Sequence, residues 1–255
     1  MNKDKIRELV DRAYAKEKSI TVITYYLSNY GEHLLNGIGE RLLELFNRRD
    51  IGDIVYTAVK ELVMNAAKAN LKRVLMSDYG LDPEDPDGHQ KLMALFKENI
   101  RETRIKTFRD KFKERCMPIV IRLEYKRDEV LTIKVKNAFS LMPHEEKRVR
   151  EKFKLSQKYS NLMEYYMDHG DDTEGAGMGI TLVEILLSQS GMDRHLFTIY
   201  TDHRLDQTIA RVEIPLSPDY VPIRLRHAED LNESRIRVED IRQPAPALVF
   251  DQLAV

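Results

Sequence analysis

Apolar positions recur at two different spacings along the chain, and the switches between them mark out the elements. Residues 1–18 predict a short polar helix. Ser19 to Leu27 (SITVITYYL) crowds β-branched and tyrosine residues into a short run, which predicts a strand, and Ser28-Asn-Tyr-Gly31 breaks it. Residues 32–48 place Leu34, Leu35, Ile38, Leu42, Leu43, Leu45 and Phe46 at helical spacing, and a longer helix is expected from Ile51 to Met76. The prolines and glycine of Leu81 to Gly88 (LDPEDPDG) predict a loop, followed by a highly charged helical stretch over residues 89–115.

Alternation at a period of two then takes over. Ile119 to Tyr125 and Val130 to Lys136 flank Lys126-Arg-Asp-Glu129 as a β-hairpin, and Leu196 to Thr201 and Thr208 to Ile214 repeat the pattern around Asp202-His-Arg-Leu-Asp206. Between the hairpins lie a polar helical run from Pro143 to Met167, the acidic turn His169-Gly-Asp-Asp-Thr-Glu174, a glycine run and an apolar helix from Gly179 to Ser190. With the early strand, the hairpins make a mixed, mostly antiparallel sheet of about five strands, and the long apolar helices need one sheet face to pack against. A two-layer α/β sandwich is the expected fold. After Pro215 the pattern dissolves, and residues 217–255 read as a tail or interaction arm.

Composition narrows the function classes. At 255 residues with 42% apolar content the chain can build a sizeable core, and 41 basic against 42 acidic residues leave no global field to recruit nucleic acid or an anionic membrane. Residues 97–115 hold eight Lys or Arg against four Asp or Glu, but only Phe108 and Phe112 interleave with them, which fits a solvated helix face better than a nucleic-acid surface. The charged opening MNKDKIRELVDRAYAKEKS lacks the apolar core of a signal peptide and no run of about 18 apolar residues occurs, so a cytoplasmic location without a membrane span is expected. The one cysteine, Cys116, precedes an apolar strand and is expected to be a buried bystander thiol.

The candidate chemistry sits in two segments. In Glu61-Leu-Val-Met-Asn65-Ala-Ala-Lys68, the polar residues Glu61, Asn65 and Lys68 share one narrow helical sector beside the apolar arc of Val55, Val59, Leu62, Val63 and Ala66. Taken alone, that is also what the solvent border of an amphipathic helix looks like. The amide oxygen of Asn65 is a hard neutral ligand suited to Mg²⁺, Lys68 offers a point charge to phosphate, and the Glu61 carboxylate can position or deprotonate an attacking water or hydroxyl. The second segment, Gly175-Ala-Gly177-Met178-Gly179, exposes backbone amides ahead of a helix whose positive end faces an anion.

These segments resemble the N box and the G2 box of the histidine kinase-like ATPase superfamily, and the order of elements is similar to that fold over residues 19–216. The resemblance implies a Bergerat-type ATP-binding sandwich. In it Asn65 would hold Mg²⁺, Glu61 would be the catalytic or water-positioning acid, and Gly175, Gly177 and Gly179 would contact the phosphates, with Lys68 and Met178 counted among the cofactor-binding residues. Residues 143–174 would correspond to the ATP lid, and residues 78–116 to a long insertion. Where the family carries an aspartate and glycines after the first hairpin, this chain has Val135-Lys-Asn137-Ala-Phe139-Ser-Leu141. Asn137 would then accept from the base through a neutral oxygen, with Phe139 and Leu141 in place of the glycines.

Within the family the layout resembles the stand-alone anti-sigma factor kinases, which implies phosphoryl transfer from Mg²⁺-ATP to an unidentified regulatory partner protein. His33 lies inside the domain rather than on a preceding helical hairpin, which disfavours autophosphorylation. A homodimer stays open as an oligomeric state. The alternative is a non-catalytic interaction module that keeps the fold and binds nucleotide weakly or not at all.

Overall fold

The five strands β1 (Ile20–Thr24), β2 (Ile119–Lys126), β3 (Val130–Asn137), β4 (Phe197–Asp202) and β5 (Gln207–Pro215) form one sheet in the order β1-β2-β3-β5-β4. They belong to a computed structural model that describes residues 1–169 and 178–226. Every neighbouring pair is antiparallel, which corrects the expectation of a mixed sheet. The second hairpin docks with β5 against β3, Asn137 opposite Thr208 and Val130 opposite Pro215, so β4 is carried to the edge and no parallel pair arises.

The helices are α1 (Lys3–Ala15), α2 (Asn29–Leu45), α3 (Gly52–Tyr79), α4 (Pro86–Asn99), α5 (Glu102–Ile105), α6 (Arg109–Glu114), α7 (Pro143–Ser156), α8 (Leu162–His169) and α9 (Met178–Gln189). Ile119, Ile121 and Leu123 of β2 are buried toward them, while Val120, Arg122 and Glu124 alternate onto the other face and stay half-exposed. The α/β sandwich therefore follows from period-two strands meeting apolar helices. α3 is the central helix: Val63, Ala67, Leu71 and Val74 have no exposed surface, and it packs on β2, β3, α2, α4 and α9.

Local chemistry sets the element ends. Ser28 caps α2 by accepting from Gly31 N–H at 3.2 Å, and Gly80 closes α3 in the left-handed conformation with φ 59°. β1 stops short of the expected Leu27 because Thr24 Oγ1 bonds to Tyr26 O and Tyr26 N and turns the chain, burying Tyr26 and Leu27. The stretch expected as one charged helix divides into α4, α5 and α6, with Asp85 capping α4 at Gly88 N–H and Pro86 in its first turn. Cys116 is exposed, contrary to expectation: it takes a left-handed turn with φ 52° after α6, and Met117 enters the core in its place.

Beyond β5 the described chain is more than an arm. Glu213, fully buried on the sheet face opposite the helices, accepts from Tyr220 Oη at 2.8 Å and from Ile223 N–H at 3.0 Å, and Arg211 Nε lies 3.0 Å from it. Residues 217–223 are thereby strapped across that face; residues 227–255 lie outside the described residues.

Candidate functional site

A cavity of about 200 Å³ opens between α3, α4, α7 and the β3–β5–β4 end of the sheet. α3 lines it with Leu62, Asn65, Ala66, Lys68, Ala69 and Lys72, because one flank of a helix repeats at three- and four-residue intervals. The sheet supplies an apolar floor of Val135, Ile199 and Ala210 with two polar groups, Asn137 and Thr208, set side by side on β3 and β5. Met93 and Phe96 of α4 and Glu145, Arg148, Val149 and Lys152 of α7 complete the lining.

The walls carry an excess of positive charge. Lys68, Lys72, Arg148 and Lys152 face the cavity against one carboxylate, Glu145. Arg73 holds that carboxylate from both nitrogens, at 3.0 and 2.6 Å. Burial alone would raise the Glu145 pKa, but the hydrogen bonds and charge of Arg73 outweigh it and leave the carboxyl below its ordinary range. Burial lowers the pKa of Lys72, and Arg148 lowers it further; Lys72 also sits over the Phe96 ring, 4.9 Å from its centroid. Lys152 is lowered by burial first and by Arg148 second. Two lysines that burial and a like charge hold below the usual amine value make a wall suited to an anion.

The predicted residues come together in part. Asn65, Lys68 and Asn137 line the cavity. Glu61 does not line it but stands one turn before Asn65, at the start of α9. There Gly179 presses on both: an ideal Cβ on Gly179 would lie 2.4 Å from Asn65 Nδ2 and 2.9 Å from Glu61 Oε2. Among the described residues, Asn65 Nδ2 is buried without a hydrogen-bond partner. Met178 opens α9, whereas Gly175 and Gly177 lie outside the described residues.

Asn137 is 7% exposed, and its amide is anchored from below, Nδ2 donating to Ala66 O at 3.0 Å and to Asn70 Oδ1 at 2.8 Å. The loop after β3 is pinned by Asp206, which accepts from Ser140 N–H at 2.9 Å, and by Thr201, which accepts from Leu141 N–H at 3.3 Å. Leu141 lines the cavity, whereas Phe139 turns under the Arg73 guanidinium, 4.6 Å from the ring centroid.

Sequence reasoning missed Lys72, Arg148, Lys152, Met93, Phe96, Thr208 and Asn70. The one usable signal was the paired spacing of Lys68 with Lys72 and of Arg148 with Lys152, each four residues apart on its helix.

No protein-family model matches the chain, and no solved structure matches it. A curated protein of Treponema pallidum (strain Nichols), itself described as an uncharacterized protein, is 26% identical over 248 residues, which is 97% of this chain and 47% of that protein. The chain thus spans about half the length of the curated relative it matches. Among the described residues, no helix is long and apolar enough to cross a membrane.

Proposed function

We propose that the cavity binds a nucleoside triphosphate with Mg²⁺, and that the chain is a phosphotransferase or ATPase-type regulator similar to the anti-sigma factor kinases of the histidine kinase-like ATPase superfamily. The observation that carries this reading is the seat of Gly179 on Glu61 and Asn65, which joins two motifs far apart in sequence at a contact with no room for a Cβ.

The donor set fits a nucleotide-borne Mg²⁺. Asn65 has an orphaned amide nitrogen, and a half-turn of that amide presents its oxygen instead. Among the described residues no three His, Cys, Asp or Glu side chains cluster, so a cation here would draw most of its ligands from phosphate and water, as Mg²⁺ does. Asn65 would hold the ion, which when bound neutralises charge on the phosphate oxygens.

The remaining roles belong to the chain's own residues. Lys68, Lys72, Arg148 and Lys152 would offset the triphosphate charge, and the apolar floor with Phe96 and Met93 would keep water from it. Glu61 would accept the proton of the attacking water or of a hydroxyl on a partner protein. The alternative of a module without turnover draws on Leu141, which occupies cavity wall at a glycine position of the family, and on the neutral Asn137.

Labelled ATP distinguishes the two readings. Glu61→Gln keeps the side chain's shape, so nucleotide affinity should stay within about threefold while phosphate release or transfer falls about a hundredfold or more. Turnover equal to that of the wild type would remove Glu61 from the mechanism. Wild-type binding without turnover would favour the interaction module.

A further inference from the structure

We infer that the sheet face opposite the helices is a docking surface for an acidic amphipathic helix of a partner protein, laid across the strands beside the strap. The inference stands apart from the nucleotide reading, since none of the residues it uses lines the cavity.

The ladder register sorts this face into rows that cross the strands. One row runs Thr21, Arg122, Lys134, Arg211, Thr198 from β1 through β2, β3 and β5 to β4. The row on one side of it runs Ile23, Val120, Lys136, Ile209, Tyr200. On the other side stand Glu124, Thr132 and Glu213, where the strap seals Glu213 through Tyr220 and Ile223. A cationic row thus adjoins a mainly apolar one, away from the strap, and Ile23 is 51% exposed there.

Cations outnumber the carboxylates that can serve them. Arg122 and Lys134 share Glu124, at 2.8 and 2.5 Å. The contact of Arg211 is Glu213, whose carboxylate is already taken by Tyr220 Oη and Ile223 N–H. Asp202, at the rim, accepts from Arg204 N–H and Leu205 N–H. Among the described residues Lys136 has neither an ion pair nor a hydrogen bond, and burial, then Lys134 and Arg122, lower its pKa. Arg122 Nε and Arg211 Nε are buried without a hydrogen bond among the described residues, because their short carboxylate contacts lie off the hydrogen-bond direction. Added carboxylates would relieve this surplus of positive charge and of donors.

The spacing suits a helix. Neighbouring strands stand about 4.8 Å apart and a helix advances about 5.4 Å per turn, so acids one turn apart would meet Arg122, Lys134 and Arg211 in succession. The two rows are about 6.8 Å apart, within the roughly 10 Å width of a helix, so a neighbouring apolar stripe would settle on Ile23, Val120 and Ile209. Crossing all five strands takes about 13 helical residues. A nucleic-acid strand fits less well. It would leave the apolar row without an apolar partner, and Tyr200 carries the Arg211 guanidinium over its ring, 5.6 Å from the centroid, in place of an open stacking face.

The probe is a synthetic helical peptide of about 14 residues, fluorescently labelled, with Glu one turn apart along one stripe and Leu along the next. Titrated into the full chain, it should bind saturably in the micromolar range, and Lys134→Gln combined with Lys136→Gln should weaken it about tenfold or more. Replacing its Glu by Lys, or its Leu by Ser, should cost a similar factor. No saturable binding up to about 1 mM peptide, or binding indifferent to the two lysine changes, would overturn the inference. A single-stranded oligonucleotide that binds as tightly would overturn it in favour of nucleic acid. Amine labelling of the unaltered chain gives the second check: bound peptide should shield Lys136, and equal labelling of Lys136 with and without peptide would overturn the placement on this face.

Discussion

At Gly179 the absence of one carbon decides how the two motifs meet. The atoms that a Cβ would strike, Nδ2 and Oδ1 of Asn65 and Oε2 of Glu61, are side-chain ends and can swing aside. Gly179→Ala should therefore cost folding only about 1 kcal/mol or less, the price of an off-rotamer side chain, while weakening Mg²⁺-dependent nucleotide binding as much as Asn65→Ala does. Gly88 gives the contrast: its Cβ would lie 2.2 Å from the backbone oxygen of Asp82, so Gly88→Ala must move backbone and should cost about 1–3 kcal/mol. Urea midpoints of the two variants check this ordering, and a Gly179→Ala protein as unstable as Gly88→Ala would contradict it. Asn65 and Lys68 were legible because helical period alone puts them on one flank, whereas Asn137 was singled out only by the place it takes in the resemblance. Cys116 was not legible, because its exposure depends on a left-handed turn that residue type does not announce.

The facing surfaces of α3 and α7 act as elements. Each brings a pair of cations four residues apart, and such pairs usually line a solvated face, which is why the sequence did not single out Lys72, Arg148 and Lys152. Only the packing that brings α7 to the cavity sets Arg148 and Lys152 in the same lining as Lys68 and Lys72. Their depressed pKa values have a definite sign. Lys72 and Lys152 are fully charged at pH below their lowered values, and they lose their protons as pH rises through a window that lies under the ordinary 10.5. Bound phosphate favours the charged forms, so nucleotide affinity should fall across that window, with protons taken up on binding. For folding the sign is opposite: the unfolded chain keeps these protons longer, so the cost of burying the lysines shrinks as pH rises. Calorimetry in buffers of different ionisation enthalpy reads the proton uptake, and Lys72→Met should reduce it. Affinity that stays flat up to 10.5 would contradict the shifts. The long α3 and both hairpins were readable from their period. The division of the charged stretch into α4, α5 and α6 was not, since it turns on caps and packing against α3.

Across the whole molecule, one sheet with helices on one face follows from alternating strands and apolar helices, and that much was visible in the pattern. The insertion of β5 between β3 and β4 was not, because either strand of the second hairpin alternates well enough to pair with β3. That choice matters, since it sets Thr208 beside Asn137 on the cavity floor. Nor did the sequence show that the chain after β5 returns to seal Glu213 through Tyr220. The central claim is the Mg²⁺-nucleotide site between α3, α7 and α9, and calorimetric titration of Mg²⁺-ATP into the wild type and Asn65→Ala tests it most directly. The account predicts saturable binding at one site that weakens about tenfold or more on chelation of Mg²⁺ or in Asn65→Ala. Absence of binding up to about 1 mM nucleotide, or binding indifferent to both Mg²⁺ and Asn65, would contradict it.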